Sequence, residues 1–166
     1  MSLTSPIRIF LFLTLLSLVG LVYVTNEKNE FFNNPLSDEI LQKIDTKTSQ
    51  LEKTTYQKFG VEVKIPILIA DSIPNNLFGV ARIKNDGEIS IILNKNRFKE
   101  NEQYMIDSVL PHEYAHALMF VFGDFSNEDG GHTQKWQEIC NQLGGKKCER
   151  YVGDDDILIE KIGFMK

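Results

Sequence analysis

A chain of 166 residues, 42% hydrophobic and 25% charged, has room for one globular core and little more. Beyond residue 24 it carries 17 basic against 23 acidic side chains, which disfavours a broad nucleic-acid surface, since such surfaces are usually basic. Two cysteines, Cys140 and Cys148, are too few for a four-cysteine zinc module, and the chain has no internal repeats.

Residues 9–24 are apolar apart from Thr14, Ser17 and Gly20, and Arg8 precedes them. This run is slightly short of a bilayer span, for which roughly 17–25 residues are usual. It has the basic start and apolar centre of a signal peptide. The small-x-small cleavage site is missing, because Val22-Tyr23-Val24 is bulky. No cysteine stands near its end, which argues against a lipoprotein. An uncleaved signal anchor at residues 1–24 is therefore expected, with secretion after cleavage as the alternative. Arg8 before the run, and Glu27, Lys28 and Glu30 after it, place the N-terminus in the cytoplasm and the rest outside. The expectation is a single-pass membrane protein with its folded domain outside the cytoplasm.

Residues 25–36 are polar and Asn-rich and read as a linker ended by Pro35. Residues 37–166 then form one domain. Ser37 is a good N-cap, followed by Asp38 and Glu39 in a first helical turn. That helix runs to about Lys58, with Ile40, Leu41, Ile44 and Leu51 inward, and stops at Gly60. Residues 61–70 alternate and are rich in Val and Ile, so they read as a strand, with Pro66 marking an edge or bulge. Residues 79–84 and 88–93 read as a hairpin around Asn85-Asp86-Gly87.

Residues 102–122 carry apolar side chains at threes and fours, the pattern of an amphipathic helix. Pro111 either kinks this helix or restarts it. Residues 123–131 read as a loop, and residues 133–143 as a second helix closed by Gly144-Gly145. Ile157-Leu158-Ile159 could add a short element. Cys140 and Cys148 are close enough to bridge across the Gly144-Gly145 turn, and two buried thiols are the other reading. Helix, strands, then two helices fit an α+β fold.

All three histidines fall in one stretch of the chain. His112 and His116 flank Glu113-Tyr114-Ala115, and His132 follows the polar loop. A spacing of four puts His112 and His116 on one helix face, so both rings reach one metal ion. Glu113 lies beside that metal without being needed as a ligand, which is the zinc metalloprotease arrangement. The bare pentapeptide also occurs by chance. With His132 as third ligand, one coordination position stays open for water, as in catalytic zinc sites. Asp124, Glu128, Asp129 and Glu138 are rival third ligands, although the acidic loop reads better as a solvated turn and lacks the calcium-loop pattern. Lys146, Lys147 and Arg150 read as a solvated face. Tyr114 points away from the metal by helical phase, and Trp136 should pack behind the ligands. Tyr151 is a candidate donor to a carbonyl oxygen, or an ordinary packing residue.

Leu110-Pro-His-Glu-Tyr-Ala-His-Ala-Leu118, then Gly131-His132 and Trp136, resemble the SprT-like zinc metallopeptidases. Phe78-Gly79-Val80-Ala81 and residues 87–94 are similar to the two strands that precede the active helix in that family. The likeness covers roughly residues 61–151. It implies a zincin-like half-domain with a small, mostly antiparallel sheet packed on the active helix. It also implies zinc held by His112, His116 and His132, with Glu113 as general base. Many members add a cysteine-rich zinc ribbon, which this chain cannot build, and many act on DNA-associated proteins inside cells, where the N-terminus here argues for another location.

The expected function is a membrane-anchored zinc endopeptidase acting on a protein or peptide substrate. The edge strand that holds the extended substrate is expected near residues 88–93. Two other classes remain: a zinc hydrolase of a cell-wall amide, and a non-catalytic metal-bearing binding module. Glu113 speaks against the second, because a binding module needs no base.

Overall fold

The apolar N-terminal run folds as one helix, α1 (Ser5–Asn33). In this computed structural model, residues 5–33, 35–74 and 76–150 are described, and the chain divides into two units, Met1–Ser37 and Asp38–Lys166. The helix does not stop at Val24 but continues across the polar stretch to Asn33, just ahead of Pro35. Its segment Pro6–Asn26 spans 21 residues at a mean hydropathy of 2.3, with no part buried. At 1.5 Å per residue that is about 31 Å, close to the hydrocarbon thickness of a bilayer. Thr14 donates its hydroxyl proton to the Leu11 carbonyl, and Thr25 to those of Leu21 and Val22. These two hydroxyls are thereby satisfied without water. By length and composition this helix could be a membrane anchor or a signal sequence.

The second unit opens with α2 (Asp38–Phe59), whose buried stripe is Ile44, Thr48, Leu51 and Thr55. Thr48 and Thr55 enter the core because each hydroxyl donates to the carbonyl four residues back, at 2.8 Å. Leu41, expected inward, is instead exposed. Gly60, at φ 68, ends the helix in a left-handed conformation, and its N–H bonds the Tyr56 carbonyl.

Three strands follow: β1 (Ile67–Ala70), β2 (Gly79–Ile83) and β3 (Ile89–Asn94). The first is shorter than the expected 61–70, because it begins only after Pro66, which has no N–H to give a ladder. β2 and β3 form the predicted hairpin, with Ala81 opposite Ile91 and Gly87 at φ 87 in the turn. The sheet order is β1-β3-β2, with β1 parallel to β3 and β2 antiparallel to it. The sheet is thus evenly mixed, where a mostly antiparallel one was expected. The long connection from β1 to β2 allows the parallel pairing. A second correction concerns the substrate edge: β3 is the central strand, and β2 lies at the edge.

Residues 102–121 are helical throughout but not uniformly so. One turn of α3 (Glu102–Tyr104) leads into a π-helical turn, Met105–Val109, and then into α4 (Leu110–Val121). A proline ring clashes with the carbonyl four residues back in an α-helix. The wider turn immediately before Pro111 relieves that clash, so the chain neither breaks nor restarts. α4 is the centre of the unit, packed against β2, β3, α2 and α5 (Gln134–Gln142). Leu110, Tyr114, Ala115, Ala117 and Leu118 are fully buried. Thr133 caps α5 by accepting from the Trp136 N–H. Cys140 and Cys148 form a disulfide, so the bridged reading holds. Tyr151 and the apolar triplet at 157–159 lie outside the described residues.

Candidate metal centre

His112 and His116 project from one face of α4, one turn apart. His132 reaches them from the short 3₁₀ turn Glu128–Gly131 that precedes α5. The Nε2 atom of His132 lies 3.1 Å from that of His112 and 3.2 Å from that of His116. Among the described residues these three form a group of donors close enough to share one ion. Metal–nitrogen bonds of about 2.0–2.1 Å in tetrahedral geometry put neighbouring ligand atoms about 3.3 Å apart.

The protonation pattern fits a cation as well. His132 Nδ1 faces the Asp129 carbonyl at 3.1 Å, and the His112 ring donates to the Lys147 carbonyl. A carbonyl only accepts, so in each neutral ring the remaining nitrogen presents a lone pair. Burial, with His132 nearby, lowers His112 to a pKa of about 4, and burial beside the other two rings lowers His116 to about 3. The nitrogens left facing one another, at 3.1 and 3.2 Å, are placed to share one cation.

Behind the cluster, the Trp136 indole lies 4.5 to 4.9 Å from all three imidazole rings and stacks on His116. It packs against the three histidines and restricts their rotation. Tyr114 is fully buried on the opposite side of α4, as expected.

Glu113 faces the sheet. Its carboxylate accepts from the Ala81 N–H at 2.9 Å. Burial raises its pKa to about 7, against the lowering effect of that hydrogen bond. The carboxylate gets this close because residue 79 is glycine. A Cβ there would lie 2.8 Å from Glu113 Cγ. A glycine inside a strand often marks a close approach, and Gly79 carries that signal in the sequence.

A cleft of about 780 Å³ runs past the histidines and Glu113. Leu77, Phe78 and Val80 from β2 and the chain before it, and Met119, Phe120 and Phe125 from α4 and the loop after it, contribute apolar lining.

Residues 38–154 match the model of the SprT-like family. The chain belongs to the SprT-like family. No curated protein and no solved structure matches it. The family match contains the whole histidine cluster, Glu113 and the sheet that contacts it, and it excludes α1.

Within this SprT-like unit three of the four rival carboxylates are engaged elsewhere, Glu128 being the exception among the contacts seen. Asp124 pairs with Lys135, Asp129 with Arg150, and Glu138 accepts from Gln134 along α5. Two members of the basic cluster are likewise paired, Lys146 with Asp107 and Arg150 with Asp129. Lys147 and Arg150 also line the cleft, so this group is more than a solvated face. The contacts of the Lys147 carbonyl and of Arg150 were invisible in the sequence, because both depend on how the disulfide folds the loop back.

Proposed function

We propose that this chain is a zinc-dependent endopeptidase tethered to a membrane through α1, with the catalytic unit outside the cytoplasm. The observation that carries the reading is the convergence of three imidazole nitrogens in a cleft that a buried carboxylate also lines. His112, His116 and His132 would hold the metal, and their all-imidazole set suits zinc. A zinc ion bound there supplies a Lewis acid that polarises a carbonyl and lowers the pKa of water.

The chain's own residues do the rest. Glu113 takes the proton of the attacking water and delivers it to the leaving amine. A carboxylate whose pKa lies near neutrality serves both steps, as general base and then general acid. The outer edge of β2 offers backbone groups to an extended peptide, by strand addition. The apolar walls around Phe78, Phe120 and Phe125 exclude water and accept side chains flanking the scissile bond.

The test is zinc content of the full-length protein in detergent, paired with digestion of an unfolded protein and of a cell-wall amide substrate before and after chelation. Chelator-sensitive proteolysis without cell-wall cleavage supports an endopeptidase. Cleavage of the cell-wall amide alone would overturn it, and zinc without hydrolysis of either would point to a binding module.

A further inference from the structure

The loop after α5 is held by more than its disulfide. Cys148 is bonded to Cys140, with the two Cα atoms 5.7 Å apart. Gln137 donates to the Cys148 carbonyl at 3.3 Å, and the Gly145 N–H donates to the Cys140 carbonyl at 3.0 Å. Gly145 lies against both sulfurs. A Cβ there would come 2.7 Å from Cys140 Sγ and 2.9 Å from Cys148 Sγ. Closing a loop this short removes most of its freedom.

Two groups on or just beyond this pinned segment act on the histidines, one directly and one through Asp129. The Lys147 carbonyl, next to Cys148, accepts from the His112 ring. Arg150, two residues beyond Cys148, forms a close ion pair with the Asp129 carboxylate. Asp129 sits at φ 50, a left-handed conformation uncommon outside glycine that aspartate tolerates better than most residues. Its carbonyl faces His132 Nδ1. Two of the three rings are therefore aimed by partners that the bridged segment supplies or restrains.

We propose that the Cys140–Cys148 bridge is the clasp of the metal site, setting metal affinity by fixing the Lys147 carbonyl and the Arg150–Asp129 pair behind His112 and His132. Lys147 and Arg150 are positioning residues that act through the histidines. This rests on the metal-binding reading above. Outer partners of metal ligands typically contribute about 10–100-fold to affinity. An oxidising compartment, where such a bridge persists, is then a condition for tight metal loading.

The experiment measures zinc affinity of the full-length protein in detergent by competition with a chromophoric chelator. Cys140→Ser/Cys148→Ser should bind roughly 10–100-fold more weakly than the parent. Arg150→Gln keeps the bridge and should bind about tenfold more weakly, with the metal-free unfolding midpoint unchanged. Arg150→Lys should recover part of that loss. Adding Arg150→Gln to the serine pair should weaken binding no further, because the released segment no longer holds Arg150 in place.

A parent that binds no zinc would refute the metal reading itself. If the parent binds zinc and Arg150→Gln has the parent's affinity, the clasp is refuted, and that variant decides alone should the serine pair not fold. Full additivity of the two changes would also overturn it, reducing the bridge to a general stabiliser.

Discussion

The Glu113 carboxylate accepts a hydrogen bond from the backbone N–H of Ala81, 2.9 Å away on the outer strand of the sheet. Ala81 lies opposite Ile91, and Ile91 gives its own N–H to the Pro66 carbonyl on the far side. The Ala81–Ile91 pair is therefore a non-hydrogen-bonded one, and the Ala81 N–H points to the free edge. The proposed base thus rests on a donor of the same edge proposed to receive substrate.

Glu113→Gln preserves that hydrogen bond, because the amide oxygen still accepts. It removes only the ability to take a proton. Zinc binding should persist while hydrolysis falls by roughly 10²–10⁴-fold. Turnover by the variant equal to that of the parent would dismiss Glu113 as the base.

Gly79→Ala tests the close approach from the other side. The new methyl meets Glu113 Cγ at 2.8 Å, and the Ile92 carbonyl and Leu93 side chain at 3.2 Å. Overpacking of this kind costs about 1–3 kcal/mol. Stability should drop by that amount in a denaturant titration, and kcat should fall at least about tenfold through displacement of Glu113. Zinc affinity should stay near the parent value, since no histidine is touched. An unaltered kcat would show that the carboxylate tolerates displacement.

His132→Ala should remove the stabilisation that zinc provides. A metal at a hundred times its dissociation constant raises stability by about 2.7 kcal/mol. Thermal unfolding with and without added zinc measures this directly. A zinc-dependent shift as large as the parent's would reassign the third ligand, with Glu138 and Asp129 the positions to test next.

Asp107 should govern part of the acid sensitivity of the fold. It sits on the π-helical turn and pairs with Lys47 of α2 and with Lys146 of the disulfide loop. Burial pushes its pKa up, but the hydrogen bonds from Lys146 and Gln103 and the charge of Lys47 outweigh that, leaving it below the ordinary value of 3.8. The folded value is then lower than the unfolded one. Its contribution is present above about pH 4 and is lost as pH falls through the depressed folded value. Asp107→Asn should cost roughly 0.5–1 kcal/mol near neutrality. The difference between variant and parent should close below about pH 3 in denaturant midpoints. A gap that stays constant with pH would exclude the electrostatic account.

Residues 6–26 should keep the protein in the membrane fraction after alkaline extraction. A reporter fused after Lys166, active only outside the cytoplasm, should work. Soluble protein with a new N-terminus near Thr25 would instead identify a cleaved signal. A reporter that works only in the cytoplasm would reverse the orientation.

What the sequence disclosed followed from local periodicity. The spacing of four in α4, the alternation in β2 and β3, and the Gly87 turn each express a repeat that one stretch of chain carries alone. The third histidine was also legible, because every histidine fell within one short span. What was hidden depended on pairing between distant segments. The edge position of β2 follows from β1 joining β3 in parallel, which no local pattern encodes. The buried threonines of α2 looked polar, because their hydroxyls are satisfied by their own helix. The roles of Lys147 and Arg150 arise only when the disulfide loop closes on the histidines.

Trp136 is the only tryptophan in the chain, and its indole touches all three imidazole rings. The protein therefore carries its own optical gauge at the site of interest. Intrinsic emission should come from that one indole, so its intensity and wavelength report the cluster without a label. Titration with a paramagnetic divalent ion such as cobalt should quench it in step with loading. The same signal, followed in time after mixing with a chelator, would give the rate at which the centre empties.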